Sequence, residues 1–170
     1  MPQRIVVAGD PCSGKSTLAQ RMASVIGAPY VELDALNWRR PGWVPTPDDE
    51  LLTSMIEATR GDRWVVAGNY LRVAQQAIWP RAECVVWLDL PLRIVLPRLV
   101  RRSWQRWRSH ELLWGVNYED PWQHLRVWET DRNLFAYTVK THHERQATFV
   151  AAMSDPKWAH IRFVRLRSPR

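Results

Sequence analysis

Short apolar runs alternate with amphipathic stretches along this chain, and the alternation predicts five strands separated by helices. The first run, residues 4–8, centres on Ile5, Val6 and Val7, uninterrupted and β-branched as a strand covered on both faces requires. Residues 16–26 then carry Leu18, Met22, Val25 and Ile26 at helical spacing, with Gly27 as the C-terminal stop. Residues 30–33 alternate as a short strand that delivers Asp34 at its C-terminal end. A breaker-rich stretch over 35–45, with Trp38, Arg39, Arg40, Pro41, Gly42 and Trp43, reads as a loop. Thr46 as cap, Pro47 at the first position and Asp48 and Asp49 in the first turn open a helix whose apolar face is Leu51, Leu52, Met55 and Ile56.

The second half continues in the same way. Residues 64–67 form a buried strand closed by Gly68, where the missing side chain lets a ligand approach the backbone. A short helix over 71–79 stops at Pro80, and residues 84–88 give another apolar strand. Asp89 reads as the cap of the following helix rather than as a metal ligand, because Pro91 opens that helix. The helix covers 92–108, with a kink at Pro97. Over 110–137 the periodicity breaks into short helical pieces and loops. It resumes as a helix over 140–153 and ends in a strand over 161–166. Such alternation predicts an α/β protein of three layers, a five-stranded parallel sheet between helices, and the 170 residues read as one domain.

Charge changes the picture more than length does. Lys and Arg number 24 against 17 Asp and Glu, a net charge of +7, which favours anionic partners: nucleotides, phosphorylated substrates or nucleic acid. The two cysteines, Cys12 and Cys84, are too few for a disulfide framework and read as reduced thiols of a cytoplasmic protein. No run is long enough to span a membrane and no signal-peptide core opens the chain. No repeat period explains the eleven tryptophans.

The candidate chemistry begins where the first strand ends. Gly9, Asp10, Pro11, Cys12, Ser13, Gly14, Lys15 and Ser16 spell GxxxxGKS, followed by Thr17, and strand, glycine loop and helix is the context this motif needs. Gly9 and Gly14 let successive N–H groups turn inward toward phosphate oxygens, at a helix N-terminus that adds its positive dipole end. Lys15 offers a charge to the β and γ phosphates of ATP, and Ser16 a hydroxyl to Mg²⁺. Asp34 lies where ligands collect in open parallel sheets, as a carboxylate able to orient or deprotonate a phosphate acceptor; a turn-starting aspartate is the plainer alternative. Arg98, Arg102 and Arg106 stand four apart and project from one helical face, a stripe suited to phosphate or else a solvated basic face. Arg39 and Arg40 between tryptophans suit an anionic acceptor group, or else a solvated loop with the tryptophans folded on the next helix. His142 and His143, being adjacent, do not share a helical face as a metal pair would.

The segments GDPCSGKS, LDALNW, VVAGNY and WLDLP, with the R-x-x-x-R of Arg98 and Arg102, together resemble the adenylate-kinase-like P-loop kinases, most closely the small bacterial branch labelled DNA topology modulation proteins. The resemblance implies the P-loop three-layer fold with a helical lid insertion at about residues 103–140. It also implies ATP and Mg²⁺ as ligands, Arg98 beside the adenine, Arg102 on the phosphates, and Arg145 as a further arginine after the lid. Two positions depart from it. Ala67 stands where adenylate kinases carry an acid that arranges the magnesium waters, and Gly68-Asn69-Tyr70 replaces their AMP-binding motif. The expected activity is phosphoryl transfer by Lys15, Asp34 and Arg102 from ATP to a small acceptor, a nucleoside, nucleotide or other hydroxyl compound. The alternatives are a nucleic-acid binder, disfavoured because the stripe arginines are already needed at the nucleotide, and an ATPase switch without an acceptor.

Overall fold

The structure, a computed structural model, describes residues 1–118 and 134–168. The five expected strands are present and all run parallel: β1 (Arg4–Gly9), β2 (Tyr30–Glu32), β3 (Trp64–Ala67), β4 (Cys84–Leu88) and β7 (Arg162–Leu166). Their order in the sheet is β2-β3-β1-β4-β7, so β1 is central and the loop that follows it opens at the middle of the C-terminal edge. Helices α1 (Lys15–Ile26), α2 (Leu33–Asn37), α3 (Asp48–Ala58), α4 (Leu71–Ala77), α5 (Leu92–Ser109) and α6 (Leu134–Ser154) connect them. A two-residue antiparallel hairpin, β5 (Leu112–Leu113) with β6 (Asn117–Tyr118), follows α5.

Alternate residues of each strand feed opposite cores, as the two-residue period of a strand demands. Val6, Ala8, Trp64, Val66, Val85 and Trp87 face α3, α4 and α6. Ile5, Val7, Val65, Ala67, Cys84 and Val86 face Ala19 and Ala23 of α1, small residues that bring helix and sheet close. Four tryptophans fill the first core. Trp87 stacks on Phe149 at 4.9 Å and 13°, and Trp79 meets Trp158 edge-on at 5.2 Å, with Trp64 also buried. Among the described residues no helix is long and apolar enough to cross a membrane. Cys12 and Cys84 form no disulfide with each other, and burial pushes the Cys84 thiol up from its ordinary value.

Several local expectations change. β2 ends at Glu32, and Leu33 opens α2 instead of closing the strand, so Asp34 sits in the first turn of a helix and not at a strand end. The cause is Leu33 itself, which turns inward to full burial against Gly68. Thr46 does not cap α3, whose N-cap is Pro47. Its buried hydroxyl donates instead to Leu36 O (3.1 Å) and Asn37 O (2.9 Å), satisfying carbonyls orphaned at the end of α2. Asp89 is not the cap of α5, where Pro91 holds that position. Its carboxylate accepts from Arg165 Nε (2.8 Å) and Gln146 Nε2 (2.8 Å), joining β4 to β7 and α6. α4 ends at Ala77, and Pro80 lies within a 3-10 turn over Trp79–Arg81. α5 carries Pro97 inside it and runs on to Ser109. α6 is already helical at Leu134, well before 140. The irregular stretch expected over 110–137 therefore contains the hairpin and residues 134–137 of α6, and the rest of the expected lid, residues 119–133, lies outside the described residues.

Candidate active site

The phosphate loop is set by close packing beneath it. A Cβ at Gly9 would stand 2.7 Å from Ser13 Oγ and 2.9 Å from the Leu88 carbonyl, so only glycine lets the loop curl against the end of β4. Cys12 holds a left-handed φ of 60°, a strained conformation of the kind that clusters at ligand sites. Gly14 is the N-cap of α1 without a side-chain cap, the first turn holds no acid, and the space beside Gly14 is open. The first N–H groups of α1 are thus left for an anion. Lys15 is buried at the same place. Desolvation lowers its pKa, Arg102 and Arg145 push the same way, and Asp34 opposes them.

Asp10, the second loop residue, is 4% exposed and is claimed from below. His142 Nδ1 lies 2.6 Å from Asp10 Oδ2, and Arg145 Nη1 donates to Asp10 Oδ1. Arg145 also donates to Thr141 Oγ1 at 2.8 Å, one helical turn back. The arginine that the family resemblance assigns beyond the lid therefore holds the loop's own carboxylate. His142 and Arg145 are both buried, and together they tie α6 to the loop.

On the other side of Lys15, β2 and the turn into α2 supply the carboxylates. Ser16 Oγ donates to Glu32 Oε1 at 3.4 Å. Glu32 is the register partner of Ala67 on β3, so the acid missing from β3 is present on the neighbouring strand. Sequence reasoning passed over Glu32 because one acid at the end of a short strand looks like any exposed strand residue; its pairing with Ala67 is the signal, and it needs the register. Burial, with help from Glu32 and Asp34, pushes the nearby Tyr30 hydroxyl up. Asp34 Oδ1 accepts from the Tyr70 hydroxyl at 2.8 Å. Burial pushes that hydroxyl far up, the charge of Asp34 adds to the shift, and Asn37 and Trp38 oppose it, so Tyr70 is a donor across the whole working range. Asn69, next to it, accepts from Gly9 N (3.0 Å) and donates to Gly9 O (2.6 Å).

Arg102 is half-buried, with its Nε enclosed and without a hydrogen-bond partner among the described residues, and it acts on Lys15. Arg98, a turn earlier on α5, is exposed, and Arg106 lies 3.5 Å from Glu111. The expected loop residues, Lys15, Ser16, Asp34 and Arg102 thus share one region. Arg39 and Arg40 stay outside it: Arg39 is exposed, and Arg40 pairs with Glu50 at 2.8 Å on the surface. The tryptophans around them pack on each other and on the hairpin. Trp43 meets Trp38 edge-on at 5.6 Å and Trp114 at 5.8 Å. Asn117, 2% exposed, donates to Trp38 O (3.2 Å) and Arg40 O (3.1 Å) and accepts from Trp43 N (3.0 Å). This clasp over loop 38–44 had no local sequence signal.

No family model matches the chain. It is similar to a shikimate kinase of Nitratidesulfovibrio vulgaris, 31% identical over 112 residues that make up 58% of this chain and 63% of that protein. It is also similar to the ATP-dependent protease ATPase subunit HslU of Caldicellulosiruptor saccharolyticus, 25% identical over 72% of this chain and 24% of that protein. The chain therefore spans less than two thirds of these curated relatives. Among solved structures it superposes on a shikimate kinase from Acinetobacter baumannii in complex with shikimate, with a TM-score of 0.59, 13% identity, and 99% and 84% of the two chains covered. A sugar kinase from Janibacter sp. HTCC2649 gives 0.55 at 18% identity, covering 99% and 88%. The fold is that of the small P-loop kinases.

Proposed function

We propose that the protein transfers the γ-phosphoryl group of ATP, bound with Mg²⁺, to a hydroxyl of a small acceptor held at Asp34. The observation that carries this reading is the buried Lys15 at the uncapped N-terminus of α1, with Asp34 acting on it from the first turn of α2. The residues fit a polyphosphate. Open N–H groups, a desolvated ammonium, and the enclosed Ser13 Oγ and Arg102 Nε, which have no partner among the described residues, are donors suited to phosphate oxygens. Ser16 would hold the metal, with Glu32 alongside, and phosphate oxygens and water would complete its shell. When bound, Mg²⁺ neutralises charge between the phosphates.

The chain's own part is positioning and charge. Lys15, Arg102 and the loop amides bind and stabilise the moving phosphoryl group. Asp34, held by Tyr70 at Oδ1, orients the acceptor and takes its proton. The segment over 103–140, as a lid, excludes water. The similarity to a shikimate kinase and the likeness in fold to a sugar kinase support a small hydroxylated acceptor without naming it. A coupled ADP-release screen over nucleosides, nucleoside monophosphates and small hydroxy acids tests this. Turnover that Lys15→Ala abolishes is the expected result, and a flat response while ATP still binds overturns it. Nucleic-acid binding is the weaker reading, favoured only by Trp104 and Trp107, exposed on α5 beside Arg101 and Arg108. Steep loss of oligonucleotide affinity with salt is its mark.

A further inference from the structure

Three consecutive residues leave β3, and each is fastened to a different part of the site. Gly68 N donates to Val7 O of β1 at 3.2 Å, while its α-carbon is pressed on Leu33, the residue before Asp34. Asn69 commits both ends of its side-chain amide to the two backbone polar groups of Gly9, the first residue of the phosphate loop. Tyr70 commits its hydroxyl to Asp34. β3 lies between β1 and β2 in the sheet, so its exit passes between the donor loop after β1 and the carboxylate after β2. An asparagine at a turn ordinarily bonds its own backbone two residues on. Here the amide reaches 60 residues away, to a peptide whose orientation sets the start of the loop.

We infer that Gly68-Asn69-Tyr70 is a bridge that fixes the spacing between the phosphate loop and the acceptor carboxylate, with Asn69 and Tyr70 as its positioning residues. The inference rests on the reading of Asp34 as the group that holds the acceptor. Adjacent α-carbons are held about 3.8 Å apart by the trans peptide, so a shift at one anchor passes directly to the other. Phosphoryl transfer is sensitive to such shifts, since a misplacement of about 1 Å can cost about a hundredfold in rate. Neither Asn69 nor Tyr70 needs to touch the reacting atoms for this. Tyr70 also fixes the rotation of the Asp34 carboxylate through its bond to Oδ1.

The test separates the two anchors. Tyr70→Phe is expected to lower kcat about tenfold, the loss of one hydrogen bond to a charged group, and to leave the affinity for a fluorescent ATP analogue (MANT-ATP) within about twofold. Asn69→Ala is expected to weaken MANT-ATP binding about tenfold as well as lowering kcat. Equal loss of MANT-ATP affinity in both variants, tracking a fall in melting temperature, would reduce the segment to ordinary structure and overturn the bridge; so would a Tyr70→Phe protein with unchanged kcat. A downfield hydroxyl proton resonance in the free protein, absent in Tyr70→Phe and displaced in Asp34→Asn, is expected from the Tyr70 bond, and its absence also overturns the bridge. Full turnover by Asp34→Asn would instead sink the acceptor reading of Asp34. If the acceptor screen itself is flat, phosphoryl transfer fails as a reading, and the MANT-ATP difference and the resonance still decide the bridge.

Discussion

The phosphate loop and the aromatic clasp over loop 38–44 are built from different materials. Around the phosphate loop, Asp10, Lys15, His142 and Arg145 are all below 10% exposed, and the Asp10 carboxylate meets His142 and Arg145 inside the protein. In the clasp, loop 38–44 and hairpin 112–118 are joined by aromatic edges and by one asparagine bonded to backbone, while the charged side chains there, such as Arg40 and Glu50, meet on the surface. Buried charge is costly to disturb, so the packing around the phosphate loop depends on each of these side chains. Edge-to-face rings and backbone-directed bonds tolerate repacking better.

This contrast is sharpest when the buried trio of Asp10, His142 and Arg145 is broken. Asp10→Ala leaves Arg145 and His142 facing an empty buried position, and the expected loss of unfolding free energy is about 3–5 kcal/mol, read from urea titration. A loss below about 1 kcal/mol would mean that the trio is solvated and the two regions are alike. Lys15→Ala is expected to cut ATP-dependent turnover roughly a hundredfold or more while far-UV circular dichroism stays that of the folded protein, because its charge serves the ligand and not the core. Next comes Gly68→Ala, whose new Cβ would meet Leu33 Cβ at 2.6 Å; about 1–3 kcal/mol of stability should go, with kcat falling as Leu33 and Asp34 are pushed aside. In the aromatic clasp, Asn117→Ala strips partners from Trp43 N and two carbonyls, for about 1–3 kcal/mol, with a red-shifted tryptophan emission as the cluster opens to water. Arg40→Ala should change stability by no more than about 0.5 kcal/mol, since Arg40 and Glu50 are both nearly half exposed. A large effect there would erase the distinction drawn between buried and surface charge.

Much of this was legible from residues close in sequence. The loop over 9–16 is readable because its chemistry is carried by neighbours along the chain, and the buried strands because β-branched runs have little else to become. Arg102 was findable from its spacing on a helix. What misled were residues with two uses. Thr46 and Asp89 both look like caps, and each is taken by a partner from another element: orphan carbonyls of α2 for Thr46, arginine and glutamine from β7 and α6 for Asp89. Capping is worth about 1 kcal/mol, and a stronger buried acceptor or an ion pair outcompetes it. Arg145, a further site arginine by resemblance, is taken first by Asp10, an acid within this loop.

The sequence by itself determined the strand and helix alternation, the phosphate loop and the identity of its lysine and hydroxyl, because each depends on periodicity or on contiguous backbone. Only the tertiary structure decided which carboxylates stand near that loop. Glu32 gains its meaning from pairing with Ala67, Tyr70 from reaching Asp34 across 36 positions, and Asn117 from reaching loop 38–44 across more than 70. Strand order and register bring these residues together, and no local pattern encodes them, since a side-chain bond of that span is made by the packing of whole layers and not by the residues beside it.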